Sequence, residues 1–287
     1  MQESRRTLTL ALALSLSVLV CVGVQASIAF DALNYKLKPP NCSMAQIEER
    51  LKKNPNDSGA LCDRAQAFLT AGECELAVAD YGSVIKHNPR MAAAYIGRSR
   101  ANEMIGNHGA ALLDINAAIK IGDKSCLADA LLHKIAVLSA LNRGLDCPAI
   151  FEQLINSKDL GVGPADRANL LQQRSELYLR MKKPELAIKD TETCLLARPT
   201  SLTCYLNQGK AYAQLKQPQK ELAAYCRGIK LDNGKLRLSY RRVISELYVA
   251  RAKLYESMGK SSLAKADLLK ARAEESDVYQ DVYSPTK

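Results

Sequence analysis

The chain has 287 residues, a formal charge of +10 and a composition that is 47% hydrophobic but only 5% aromatic, with no tryptophan. Ala and Leu outweigh Val and Ile, and Pro and Gly punctuate the chain rather than cluster. This excludes a low-complexity chain and points to packed helices rather than sheets. The positive charge is spread over the whole length, with one denser cluster at Lys235, Arg237, Arg241 and Arg242, which reads as a solvated surface.

Residues 1–26 stand apart. Arg5 and Arg6 precede an apolar run from Thr7 to Val24, and small residues follow, ending at Ala26. This order fits a secretory signal peptide cut after Ala26. The run is long for that purpose, so an uncleaved N-terminal anchor is the alternative. Either way the folded part is expected outside the cytoplasm: periplasmic, extracellular, or held at a membrane facing outward. Residues 27–42 form a linker.

Ser43 and Gln46 have capping-box spacing, which predicts a lone helix ended by Asn54 and Pro55. A repeating skeleton follows. Leu61, Ala65 and Phe68 share one face of a helix, Gly72 ends it, and Ala77, Tyr81 and Val84 line a second helix that Pro89 stops. The small residues let two backbones approach and the large ones fill the space around them. The skeleton returns 34 positions later with Tyr95, Arg98, Ser99, Asn102, Gly106, Ala111, Ile115 and Ala118. A degenerate copy spans roughly 127–156. Residues 158–166 hold Gly161, Gly163 and Pro164 and read as a hinge between two groups, 43–157 and 167–275. The pattern resumes with Leu171, Arg174, Ser175, Tyr178, Ala187, Cys194 and Pro199, then Tyr205, Gly209, Tyr212 and Tyr225. It closes with Tyr248, Ala252, Tyr255, Gly259, Ala264, Leu268 and Ala271. The 43-residue step from Tyr205 to Tyr248 means an insertion, either a longer helix or a basic loop. Residues 276–287 lack periodicity and read as a disordered tail.

The 34-residue step, the small–large alternation and the late prolines resemble the tetratricopeptide repeat (TPR) family. The resemblance covers roughly residues 57–275 and implies an all-α fold, a right-handed α-solenoid of about six helix–turn–helix repeats. One such hairpin cannot bury its apolar faces alone, but a stack can. In this family the first helix of each repeat lines a concave groove. Carried over by position, the groove residues are Gln66 and Leu69, then Ile96, Arg100, Glu103 and Met104. Gln172, Glu176, Arg180, Lys210 and Gln214 follow, and Glu246, Lys253 and Glu256 come last. The two-carboxylate clamp with which some members grip chaperone tails is matched only at Asn207, with Gln172, Glu176, Glu246 and Ala250 at its other positions, so that ligand is disfavoured.

No hydrolase, nucleotide-binding or metalloprotease signature occurs. His87, His108 and His133 fall near helix ends or on helical surfaces, and adjacent acids such as Glu48 and Glu49 point apart. The chain is therefore expected to be non-enzymatic, with no cofactor, metal or small-molecule substrate. An export route also makes nucleic acid an unexpected partner. Outside the leader eight cysteines remain, and an oxidising compartment permits disulfides. Cys194 near the end of one helix and Cys204 near the start of the next are the leading pair, with Cys42 and Cys74 a weaker one. Cys74, between Glu73 and Glu75, is expected to have a raised pKa. The overall expectation is an exported or envelope-anchored scaffold that binds a protein or peptide in its concave groove. An assembly accessory working through its outer face, or an uncleaved membrane-tethered receptor, are the alternatives.

Overall fold

The computed structural model describes residues 42–232 and 238–283, and every regular element among them is helical. A lone helix, α1 (Met44–Lys53), precedes six helical hairpins. They pair α2 (Ser58–Ala71) with α3 (Cys74–His87), α4 (Ala92–Met104) with α5 (His108–Ile121), and α6 (Leu127–Ala140) with α7 (Pro148–Asn156). Next come α8 (Pro164–Arg180) with α9 (Pro184–Ala197), α10 (Leu202–Gln214) with α11 (Pro218–Ile229), and α12 (Leu238–Ser257) with α13 (Ser261–Tyr283). Two compact units divide between Gly161 and Val162. Within each unit the first helices of successive hairpins pack on one another, α2 on α4 on α6 and α8 on α10 on α12, so they form an inner face with the second helices outside. Each unit is an α-solenoid.

The ends of the helices follow local chemistry. Ser43 accepts from the Gln46 amide while the Gln46 side chain accepts from the Ser43 amide, so the capping box forms and α1 packs on α2. Asp57, Asn107 and Ser201 cap α2, α5 and α10, and Pro148, Pro184 and Pro218 open α7, α9 and α11, where a missing N–H costs nothing. The turn inside each hairpin needs one left-handed residue. Gly72, Gly106 and Gly259 supply it in three repeats; Asn142, Lys182 and Lys216, at φ of 57°, 57° and 55°, supply it in the others. A lysine held there costs on the order of 1 kcal/mol.

The small–large code packs as the sequence implies. Ala65 and Ala77 are fully buried at the crossing of α2 and α3, with Tyr81 and Val84 in the same cluster and Phe68 against it. Tyr81 lies on Gly97 of the next hairpin and Tyr225 on Gly209 of its own, and at either glycine a Cβ would sit within the tyrosine ring. Overpacking of this kind costs about 1–3 kcal/mol.

A second code concerns charge. In four repeats an arginine on the first helix forks onto an aspartate of the second, 16 positions on: Arg64–Asp80, Arg98–Asp114, Arg174–Asp190 and Arg251–Asp267. Both N–H···O distances in each pair lie between 2.7 and 2.9 Å. Each guanidinium also faces an aromatic ring one turn away, Phe68, Tyr95 or Tyr178, and Arg251 sits 5.7 Å from both Tyr248 and Tyr255. These clamps fasten the two helices of a hairpin through two parallel bonds.

One open alternative narrows and one expectation changes. The inserted residues before the sixth repeat lengthen its first helix, since α12 begins at Leu238; residues 233–237 lie outside the described set. The expected tail is helical as far as Tyr283, because no Gly or Pro interrupts the chain from Ser261 to that point. The leader, the linker up to 41 and residues 284–287 also lie outside the described set. Among the described residues no helix is long and apolar enough to cross a membrane.

Candidate functional site

In the first unit the expected groove residues separate into two kinds. Arg100 and Gln66 are half-buried and Met104 is exposed on the inner helices. Ile96 and Leu69 are core residues, a correction to the position-by-position transfer. Ile96 packs with Ile115 and Ala130 where α4 meets its neighbours, and Leu69 packs with Cys74 and Ala77. An apolar side chain at these positions is drawn into the joint rather than left for a ligand.

Glu103 is also withdrawn from the surface, with a side chain only 7% exposed, and it meets His133 of α6, only 9% exposed. His133 is therefore not on an open helical surface as its position implies. Its Nε2 lies 3.0 Å from Ser99 Oγ, and Ser99 donates its single hydroxyl proton to the Ala111 carbonyl at 2.8 Å. The imidazole must then donate from Nε2, which leaves Nδ1 as a lone pair 3.4 Å from Glu103 Oε2. Burial raises the Glu103 carboxyl to about 7, against the pull of Arg100. Burial lowers the His133 imidazole to about 4, helped by Arg100 and opposed by the Ser99 hydrogen bond. Near pH 6 both groups are neutral, and a protonated Glu103 can share its proton with Nδ1. The order of atoms is that of a Ser–His–acid relay. Ser99 is wholly buried and its proton is committed to a carbonyl, so the hydroxyl has no path to a substrate.

The inner face of the second unit is built from charge. Gln172 accepts from Ser201 Oγ at 3.0 Å, and Gln214 donates to the Leu179 carbonyl at 3.0 Å, so both tie neighbouring first helices together. Asn207, the lone match to the chaperone-tail clamp, is buried and donates to Ser175 Oγ at 2.9 Å. Between these ties Glu176, Lys210 and Glu246 form a row of alternating sign across α8, α10 and α12. Lys210 Nζ lies 3.9 Å from Glu246 Oε2, and burial raises the Glu176 carboxyl against Lys210 and Arg180. Arg180, Lys210, Lys253 and Glu256 are exposed.

The cysteines resolve unequally. Cys194 and Cys204 are fully buried across the joint between α9 and α10, with sulfurs 2.7 Å apart. Cys204 donates to Cys194; this favours the Cys194 thiolate and pushes the Cys204 thiol up. Cys42 and Cys74 do not come together. Cys42 faces Arg50 at 4.0 Å, whereas Cys74 touches the Met104 sulfur of the next hairpin at 3.9 Å. The Cys74 thiol is raised, by burial first and Glu75 second.

Comparison with known proteins agrees with this geometry. Tetratricopeptide repeat family profiles match residues 62–125, 202–235 and 245–271. These three stretches match tetratricopeptide repeats. A curated relative, the DnaJ homolog subfamily C member 7 homolog of Schizosaccharomyces pombe, is 24% identical over 214 residues, covering 70% of this chain and 44% of the relative. The chain thus spans less than half the length of that protein. Among solved structures, YrrB, described as a TPR protein with an unusual peptide-binding site, superposes with a TM-score of 0.56 at 16% identity, over 66% of this chain and 93% of its own. The C-terminal part of a TPR protein from Cytophaga hutchinsonii gives 0.56 at 15% identity, over 74% and 78%. PilW, a type IV pilus biogenesis factor, gives 0.52 at 14% identity, over 79% and 98%. At these identities the likeness is one of TPR fold.

Proposed function

We propose that the chain is a non-enzymatic TPR scaffold or adaptor that holds a protein or peptide segment against its inner faces, and that it works outside the cytoplasm, either released from or held by residues 1–26. The carrying observation is the row of charges on α8, α10 and α12. Gln172, Gln214 and Asn207 are spent on packing, while Arg180, Lys210, Lys253 and Glu256 stay exposed on the same face. An extended peptide with alternating charges would find complementary partners along it. The peptide-binding site in the description of YrrB, a protein of similar fold, supports the reading by analogy. The basic start and apolar run of the leader support export.

Capture from an extract of the protein's own compartment, with wild type beside Lys210→Glu/Lys253→Glu, tests the groove. Loss of particular proteins with the variant is the expected result; an identical set would move the interface elsewhere. The mass of the mature N-terminus separates the released form, beginning at Ser27, from the anchored receptor.

A second reading, an assembly or biogenesis accessory working through the outer face, draws on Leu113 and Leu196. These second-helix leucines are 74% and 85% exposed. Silent groove variants together with a loss of capture on Leu196→Ser would favour it.

A further inference from the structure

The fifth repeat breaks the charge code in an informative way. Relative to the sixth repeat, Tyr205 and Tyr212 occupy the places of Tyr248 and Tyr255, the two rings that flank Arg251. The arginine itself is replaced by Gln208, and its aspartate, 16 positions on, by Ala224. Both aromatic walls are kept and both charged members of the clamp are gone. The space they would fill is an open pocket of about 510 Å³ on the outer side of α10, between α9 and α11, lined by Tyr205, Gln208, Tyr212 and Ala224.

The pocket is not a neutral gap. Gln208 is only 6% exposed, lines the pocket, and its amide has no hydrogen-bond partner among the described residues. Lys220 and Arg227 stand one turn to either side of Ala224 and also line the pocket. Lys220 Nζ lies 5.6 Å from the centre of the Tyr212 ring, so it takes up the cation–π contact that arginine makes elsewhere. Neither cation forms an ion pair among the described residues. Glu192 on α9 is the one acid in the lining, so the site carries a net positive charge. In the clamped repeats the arginine has its aspartate; here Lys220 and Arg227 border the pocket and Ala224 stands in the aspartate's place.

We propose that this outer pocket of the fifth repeat binds a carboxylate carried on a partner protein segment, which supplies the missing half of the clamp. The carboxylate would take hydrogen bonds from the Gln208 amide and charge from Lys220 and Arg227. Its apolar flank would cover the tyrosine rings and Leu196 at the rim. The site lies on the opposite side of the array from the groove and stands independently of the groove reading.

The test is fluorescence anisotropy on the purified full chain with four labelled peptides. These are an alternating Glu–Leu peptide with an amidated C-terminus, its Gln–Leu and Arg–Leu counterparts, and a Gln–Leu peptide with a free C-terminal carboxylate. The Glu–Leu peptide is expected to bind and the amidated Gln–Leu peptide not. Gln208→Arg/Ala224→Asp, which rebuilds the clamp and fills the pocket, should weaken binding at least tenfold. Lys220→Ala/Arg227→Ala leaves the packing alone and should do the same, while Lys86→Glu, at an exposed lysine of the first unit, should not. Binding of the free-carboxylate peptide alone would assign the ligand to a chain end, and binding of the amidated Glu–Leu peptide would assign it to acidic side chains. Preference for the Arg–Leu peptide, no binding of either carboxylate peptide, or binding untouched by both pocket variants would overturn the proposal.

Discussion

The two units solve one joint in two ways. In each, the serine that follows a clamp arginine accepts a hydrogen bond from the first helix of the next hairpin: Ser99 from His133 in the first unit, Ser175 from Asn207 in the second. The geometry is nearly the same, at 3.0 and 2.9 Å, but one donor titrates and the other does not. A packing position in a repeat protein can thus be filled by chemically different groups, and only the choice of donor decides whether the joint responds to pH.

The comparison can be broken most forcefully at the clamp beside Ser175. Asp190→Ala leaves Arg174 largely buried without its carboxylate and should cost about 3 kcal/mol or more in a denaturant titration; a loss below about 1 kcal/mol would mean that the clamp is a passenger.

Glu103→Gln sharpens the contrast in pH. The raised Glu103 carboxyl contributes stability that is present below its usual 4.5 and lost as pH climbs toward about 7. The lowered His133 imidazole contributes stability that is present above its usual 6.5 and lost as pH falls toward about 4. The two oppose each other between these limits and largely cancel. With Glu103→Gln only the histidine remains, so the first unit should lose on the order of 3 kcal/mol on acidification from about 6.5 to 4. Equal pH slopes in wild type and variant would remove the proton-sharing account.

The second unit has a covalent option that the His133 joint lacks. Under a disulfide oxidant such as oxidised glutathione, the Cys194 and Cys204 thiols would be oxidised to one S–S bond as the oxidant is reduced to two thiols. That bond would staple α9 to α10 and stabilise by about 2–3 kcal/mol. Two thiols should disappear from a count on the denatured protein, with a cross-linked peptide joining Cys194 to Cys204; a full complement of free thiols would reject it. Smaller still, Ser99→Ala and Ser175→Ala should each cost about 1–2 kcal/mol by stranding a buried N–H, with only the first cost varying with pH. Lys182→Gly and Lys216→Gly should raise stability by about 0.5–1 kcal/mol, since glycine meets the left-handed turn without a Cβ penalty.

Most of the fold was legible in the sequence, because hairpin packing is written in side-chain size at helical spacing. The clamps were legible too: Arg64, Arg98, Arg174 and Arg251 each precede an aspartate by 16 residues. A search for size alone passes over that interval. The inner face was harder to read. Family position fixes which way a Cβ points, but Ile96 and Glu103 show that polarity and the neighbouring hairpin decide whether the side chain reaches solvent. The Ser99–His133 contact spans 34 residues, one full repeat, and no short motif contains it. Cys42 and Cys74 failed as a pair because Cys42 precedes α1 and faces Arg50, while Cys74 faces Met104 of the next hairpin.

The arrangement of the clamps has a mechanical consequence. Each of the four Arg–Asp clamps closes within a hairpin, whereas the two serine contacts cross between hairpins and are single bonds. Each unit is therefore a row of stiff tiles on softer seams. Under tension along a unit the seams are expected to yield first, so a single-molecule pulling trace should show steps the length of whole hairpins. The fifth tile, the least fastened of those in the second unit, should be the first of them to unravel.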